Sequence, residues 1–269
     1  MTPPPLEQGS HKQDSAGAAG LGSKPESVEV VPDPNAPFFK LFDQVIRGRE
    51  ALLPEIFTGP NLWLWIRRFL VAIVVLSAFY GVTMGTSSFS NGFGRGLLQV
   101  IASAIKVPLL YLLSLAVCLP VLYVVLALMG VRAGFGQTMG MILLAVTFNA
   151  VLLASCAPIA LFFTITGASY SFIKLLHVAV FAFSGAWAMV TLWQGLQLLC
   201  EKSDLYPRKA VQILQVWILV FGFVGTQMAW SLRPFVGSPN QEFQLFRAQE
   251  GNFYQAVWRS FTGFAQGDD

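Results

Sequence analysis

Three ionisable side chains stand inside or at the ends of long apolar runs: Lys106, Lys174 and His177. Cations in that setting have two uses. The lysine stems can lie along apolar surface with the ammonium groups at lipid headgroups, while His177 hydrogen-bonds at the interface. Alternatively, the three line a small basic pocket for an anionic headgroup or solute. No Asp or Glu occurs between Ile56 and Cys200. This argues against a carboxylate proton relay, and also against cation coupling, which commonly uses a buried acid. Ser169 and Ser171 lie close to His177, but neither is three or four residues from it, so they share no helical face with it. There is no Gly-x-Ser-x-Gly elbow and no His-Glu-x-x-His metal motif. Cys118, Cys156 and Cys200 sit in or at the end of apolar runs without paired spacing, as small hydrophobes do. The expectation is a non-enzymatic protein with no catalytic residue, no metal and no cofactor.

Asn149, Gln194, Gln197, Thr226 and Gln227 are polar residues of a kind that hydrogen-bonds between helices in a membrane. Ala150, Ala154 and Pro158 form a stripe of small residues suited to close helix packing. The glycines Gly92, Gly94 and Gly96 follow no strand, so they read as a flexible connection and not as a phosphate cradle.

These residues are carried by a chain that cannot be a soluble domain. Of its 269 residues 55% are hydrophobic and 12% charged, with a mean hydropathy of +0.61. Soluble domains carry roughly twice that charged fraction. The expected fold is an all-α integral membrane protein of about five transmembrane helices flanked by amphipathic interfacial helices. Residues 1–37 are Pro-, Gly- and Ser-rich and read as a disordered tail. Residues 38–61 show apolar residues at three-to-four spacing, which fits one or two short amphipathic helices. These either lie on the membrane surface or pack under the bundle.

Residues 62–230 hold the five apolar spans, at about 62–84, 109–129, 139–163, 172–199 and 211–230, each near the 20 residues a bilayer core requires. Leu97–Ile105 reads as an interfacial or re-entrant piece, with Pro108 in the first turn of the second span. Residues 231–269 form a C-terminal segment whose Gly251–Phe264 stretch is amphipathic. With the N-terminus cytoplasmic, eleven of the 17 lysines and arginines lie inside, the bias that membrane insertion favours. The net charge of +3 has no basic stripe with interleaved aromatics, so nucleic acid is not a partner. The bilayer is one, joined by a membrane-protein partner or a second copy.

Lys106-Val107-Pro108-Leu109-Leu110, the run from Gly225 through Trp230 to Pro239, and Phe243–Arg247 followed by Gly251–Tyr254 resemble stretches of a group of multi-spanning bacterial inner-membrane proteins. That resemblance implies a bacterial inner membrane and carries no activity with it. The layout is also similar to that of the Yip family of Rab-interacting membrane proteins: a cytoplasmic N-terminal region, five spans and a far-side C-terminus. It implies membrane organisation or partner recruitment; the aromatic segment after the last span departs from that pattern. The functional expectation is a scaffold or accessory subunit of a membrane complex. Its rival is a channel or transporter for a small anionic or neutral solute.

Overall fold

A computed structural model describes residues 32–202, 207–236 and 253–266. The expectations for residues 1–31, for the loop 203–206 and for 237–252 lie outside the described residues, as do most side chains in 207–217. Every regular element described is helical. In chain order they are α1 (Phe38–Arg47), α2 (Arg49–Thr58), α3 (Leu62–Thr86), a 3₁₀ turn (Ser87–Asn91), α4 (Phe93–Leu128), α5 (Phe135–Ile165), α6 (Tyr170–Lys202), α7 (Pro207–Ser231) and α8 (Phe253–Gln266).

Four of these, α3 to α6, are long and apolar enough to cross a bilayer. α7 is a further helix of crossing length, and its described apolar portion is Ile218–Ser231. The protein is thus an all-α integral membrane protein. α4 and α5 both end on a glycine in the left-handed region, Gly130 and Gly167, each at φ 78°. The Val131 amide donates to the Leu126 carbonyl at 3.0 Å, and the Ala168 amide to the Phe163 carbonyl at 3.2 Å. These are the six-to-one bonds of a Schellman stop, which a residue with a Cβ would strain.

The spans contact one another in the cyclic order α3, α4, α7, α6, α5 and back to α3. α3 and α4 approach most closely. A Cβ on Gly85 would lie 2.5 Å from Val100 Cα, and one on Gly81 would meet the backbone of Ser103 and Ala104. This glycine pair, four residues apart, is the small-residue contact that brings two membrane helices together. The Ala150 stripe does not play that part along its length: Ala150 is buried, Ala154 half-buried and Pro158 exposed.

The contact with α3 also changes the reading of residues 97–105. They are not an interfacial piece but the first half of α4, a single 36-residue helix with Pro108 and Pro120 inside it. Proline is tolerated there because neighbouring helices and local adjustment satisfy the freed backbone groups. The upper half of α3, opened by Gly81 and Gly85, gives residues 97–105 a packing partner that a surface position would lack.

α1 and α2 pack their apolar sides against the bundle. Leu41, Val45, Leu52, Leu53, Ile56 and Phe57 are buried in the core with the spans. Gln137 ties the junction. Its Nε2 donates to the Phe57 carbonyl at 2.7 Å, and its Oε1 accepts the Gly134 amide at 2.9 Å, capping the start of α5. The segment Asp33–Ala36, part of the expected tail, is held as well. Arg68 donates to the carbonyls of Pro34 and Ala36, and Gln44 Nε2 donates to the Asp33 carbonyl at 3.4 Å. α1 and α2 contact each other as a hairpin at one end of the bundle, and α3 meets the start of α4 at the far end.

Candidate functional site

Lys106 is buried, 4% exposed, on the face of α4 turned toward the chain that leaves α7. Its Nζ donates to the Pro234 carbonyl at 3.1 Å. One turn earlier Ser103 Oγ donates to the Phe235 carbonyl at 2.6 Å. One further turn back Gln99 Nε2 reaches both carbonyls, at 3.2 and 3.1 Å. Residues 99, 103 and 106 share one face because they are spaced by four and three. Three side chains of α4 therefore clasp two consecutive backbone carbonyls beyond the end of α7. Those carbonyls are past the helix and would otherwise lack donors in a buried setting. Lys106 is a structural cation here, spent on backbone oxygen.

His177 takes a different partner. Its Nδ1 and the Tyr80 hydroxyl share a hydrogen bond of 2.9 Å between α6 and α3. The two rings meet edge to face at 5.5 Å, and Phe181 packs edge to face on Tyr80 at 5.6 Å. His177 is 3% exposed, and its Nε2 has no hydrogen-bond partner among the described residues. Whichever ring nitrogen carries the proton, one hydrogen-bonding function of a buried imidazole is then left over. Another interhelical bond joins α4 to α5: Tyr111 donates to Asn149 Oδ1 at 3.0 Å. Asn149 in turn faces Gly185 of α6, where a Cβ would lie 3.9 Å from its amide nitrogen, an ordinary van der Waals contact.

Lys174 is half-buried at the start of α6, with its ammonium 4.5 Å from the centre of the Tyr170 ring, a cation–π contact. The three predicted residues are thus set on three different partners: a carbonyl, a phenol and an aromatic face. Ser169 Oγ accepts the Phe172 amide at 3.3 Å, so it caps the first turn of α6. Thr226 returns its hydroxyl to Phe223 of its own helix at 2.8 Å. Cys118 and Cys200 are buried and Cys156 half-buried, all as free thiols. Among the described residues no group of three His, Cys, Asp or Glu gathers in metal-binding range.

Gln99 and Ser103 are missing from the sequence-level candidates. The signal that marks them is polar residues at four- and three-residue spacing before Lys106, within an otherwise apolar run. What they bind lies more than a hundred residues away and has no sequence signature.

The Tyr80–His177 bond can be isolated by a double-mutant cycle of Tyr80→Phe and His177→Leu. A coupling of about 1 kcal/mol is expected, the usual size for a buried interhelical bond, measured by thermal unfolding in detergent. Additive effects would mean that the two groups do not stabilise each other.

Compared with protein-family models, with curated proteins and with solved structures, the chain matches none.

Proposed function

We propose that this protein is a non-enzymatic scaffold or accessory subunit of a membrane complex, inserted with its N-terminus in the cytoplasm, in a bacterial inner membrane. The observation that carries the reading is the outer face of α4. Exposed apolar side chains run along its whole length, from Phe93 through Leu97, Ile101, Ile105, Leu109, Leu113, Val117, Val121 and Val124 to Leu128, the last 83% exposed. A 36-residue helix is about 54 Å long, against a hydrocarbon core of roughly 30 Å. Bringing α4 wholly inside would take a tilt of about 55°, beyond the range of spanning helices. Lipid chains therefore leave part of the stripe uncovered. An apolar surface outside lipid is what a protein partner covers, whether a second copy or another membrane subunit.

The ionisable groups support this reading. Lys106 and Lys174, the cations a solute pathway would use, are occupied with backbone and aromatic partners. The alternative, a channel or transporter for a small anionic or neutral solute, draws on His177 Nε2 and on Ser114 Oγ, buried polar atoms with no partner among the described residues.

Purification from the native membrane in mild detergent, with mass spectrometry of what stays bound, tests the proposal. A stoichiometric partner or a stable homo-oligomer is expected. A lone monomer, together with solute flux in liposomes that His177→Leu abolishes, would move the assignment to the transporter class.

A further inference from the structure

Helix α5 changes character part-way along. Nine consecutive residues, Gly140–Phe148, are buried on every side, whereas Ser155, Pro158, Ile159, Phe162 and Ile165 are exposed. A helix buried all round is enclosed by protein, and α2 contributes to that enclosure. Its end is tied to α5 by the Gln137 bond to Phe57. Its middle enters the seam between α5 and α6: a Cβ on Gly140 would meet Ile56 Cγ2 at 2.8 Å, and one on Gly195 would meet Met141 Cγ at 2.7 Å and Leu53 Cδ2 at 3.2 Å. Its start reaches Phe148, with the Arg49 guanidinium 5.5 Å from that ring. The hairpin thus climbs the first half of α5.

The hairpin's outer face is charged. Lys40, Asp43, Arg47 and Glu50 are exposed, as is Arg67 one turn into α3. Exposed charges of both signs cannot face hydrocarbon, so the acyl chains must stop at this level. The same boundary follows from α3 and α4. The exposed side of α3 turns apolar just above Arg67, at Val71, Val74, Val75, Phe79 and Val82. The antiparallel contacts of Gly81 with Ser103 and Gly85 with Val100 set Arg67 opposite Val117. From Val117 to the exposed Arg95 is about 22 residues, or roughly 33 Å of helix, close to one hydrocarbon core. Two large aromatics are exposed at this level, Phe39 on α1 at 84% and Trp63 at the start of α3 at 68%. Aromatic rings with nearby cations are the side chains that settle among headgroups.

We propose that α1 and α2 form a collar seated in the phospholipid headgroup layer. The collar replaces acyl chains around the first half of α5, sets Phe39 and Trp63 among the headgroups, and offers Lys40 and Arg67 to lipid phosphate. The occupant of this surface is the membrane itself, so the placement is independent of any protein partner on α4.

Photoactivatable phospholipids test it on the full chain in vesicles of phosphatidylcholine and phosphatidylglycerol. With the diazirine on the acyl chain, adducts are expected on the peptide carrying Val71–Val82 and on residues 155–165 of α5, and none on Gly140–Phe148. With the diazirine beside the headgroup, adducts are expected on the peptides carrying Phe39 and Trp63. Acyl-chain adducts within Gly140–Phe148, or a hairpin that takes neither probe, would overturn the collar. The pair Lys40→Gln and Arg67→Gln, both at exposed positions, should keep the melting temperature and lower the headgroup adducts several-fold. An unchanged yield would overturn the phosphate contact.

Discussion

Gly85→Val is expected to prevent α3 and α4 from docking, and with it folding. The Cβ alone would lie 2.5 Å from Val100 Cα and 2.8 Å from its amide nitrogen. Both are backbone atoms, so no side chain can rotate away. Relief requires α4 to move bodily, and that would also loosen the far half of α4, which carries the carbonyl clasp. Overpacking of this kind costs on the order of 3 kcal/mol, and more against backbone, a large share of a marginal stability. Gly85→Ala should already lower the melting temperature in detergent, and Gly81→Ala should act the same way against the Ser103 and Ala104 backbone. Gly222→Ala supplies the control. Nothing lies within 4 Å of a Cβ there, so the change should be neutral, or stabilising by up to about 1 kcal/mol. If Gly85→Ala and Gly222→Ala behave alike, the α3–α4 contact does not depend on the missing side chains.

The second large effect belongs to the clasp. Gln99 serves both the Pro234 and Phe235 carbonyls, while Lys106 and Ser103 each serve one. Gln99→Leu combined with Lys106→Met leaves Pro234 without either donor, at a cost of about 1–3 kcal/mol for the stranded carbonyl. The loss is local, because Leu and Met still fill the apolar volume. The segment leaving α7 should detach from α4, and chymotrypsin should cut after Phe235, which is followed by Val236, well before the spans unfold. Lys106→Gln keeps a donor and loses the charge. It should resist chymotrypsin better than Lys106→Met, a ranking that a purely electrostatic role for Lys106 would not produce. Equal cleavage in all variants and in the unaltered protein would mean that the clasp does not hold that segment.

Much of the fold is legible in the sequence because the bilayer reduces the problem to apolar length and its interruptions. Gly130 and Gly167 stop their helices where the apolar runs end, and Lys and Arg gather beside the spans. Proline is where this logic fails. Pro108 fits the first turn of a helix as well as it fits the interior of a membrane helix, and local sequence cannot choose. The choice is made by Gly81 and Gly85, across the 3₁₀ turn, which give residues 97–105 a surface to pack on. Close packing expected along Ala150, Ala154 and Pro158 lies instead at those glycines, whose four-residue spacing is visible in the sequence.

The site is less legible than the fold. Lys106, Lys174 and His177 stand out because ionisable groups are rare in apolar runs. Their partners Pro234, Tyr170 and Tyr80 do not, because a backbone carbonyl or an aromatic ring leaves no mark that distinguishes it from its neighbours. The grip of Arg68 on Pro34 and Ala36 is hidden for the same reason. The amphipathic pattern of residues 38–57 marks an apolar side but not what it packs on, and the Gln137 bond to Phe57 shows that α5 is one partner.

The central claim is that protein, and not lipid alone, covers the stripe on α4. A photoreactive benzoylphenylalanine at Val124, which is 53% exposed, tests it in the native membrane. Irradiation is predicted to give a cross-linked protein band, either a dimer or a heterologous pair identifiable by mass spectrometry. The same residue at Val75, on the lipid-facing side of α3, should give lipid adducts only. Lipid adducts alone at Val124 would contradict the scaffold reading.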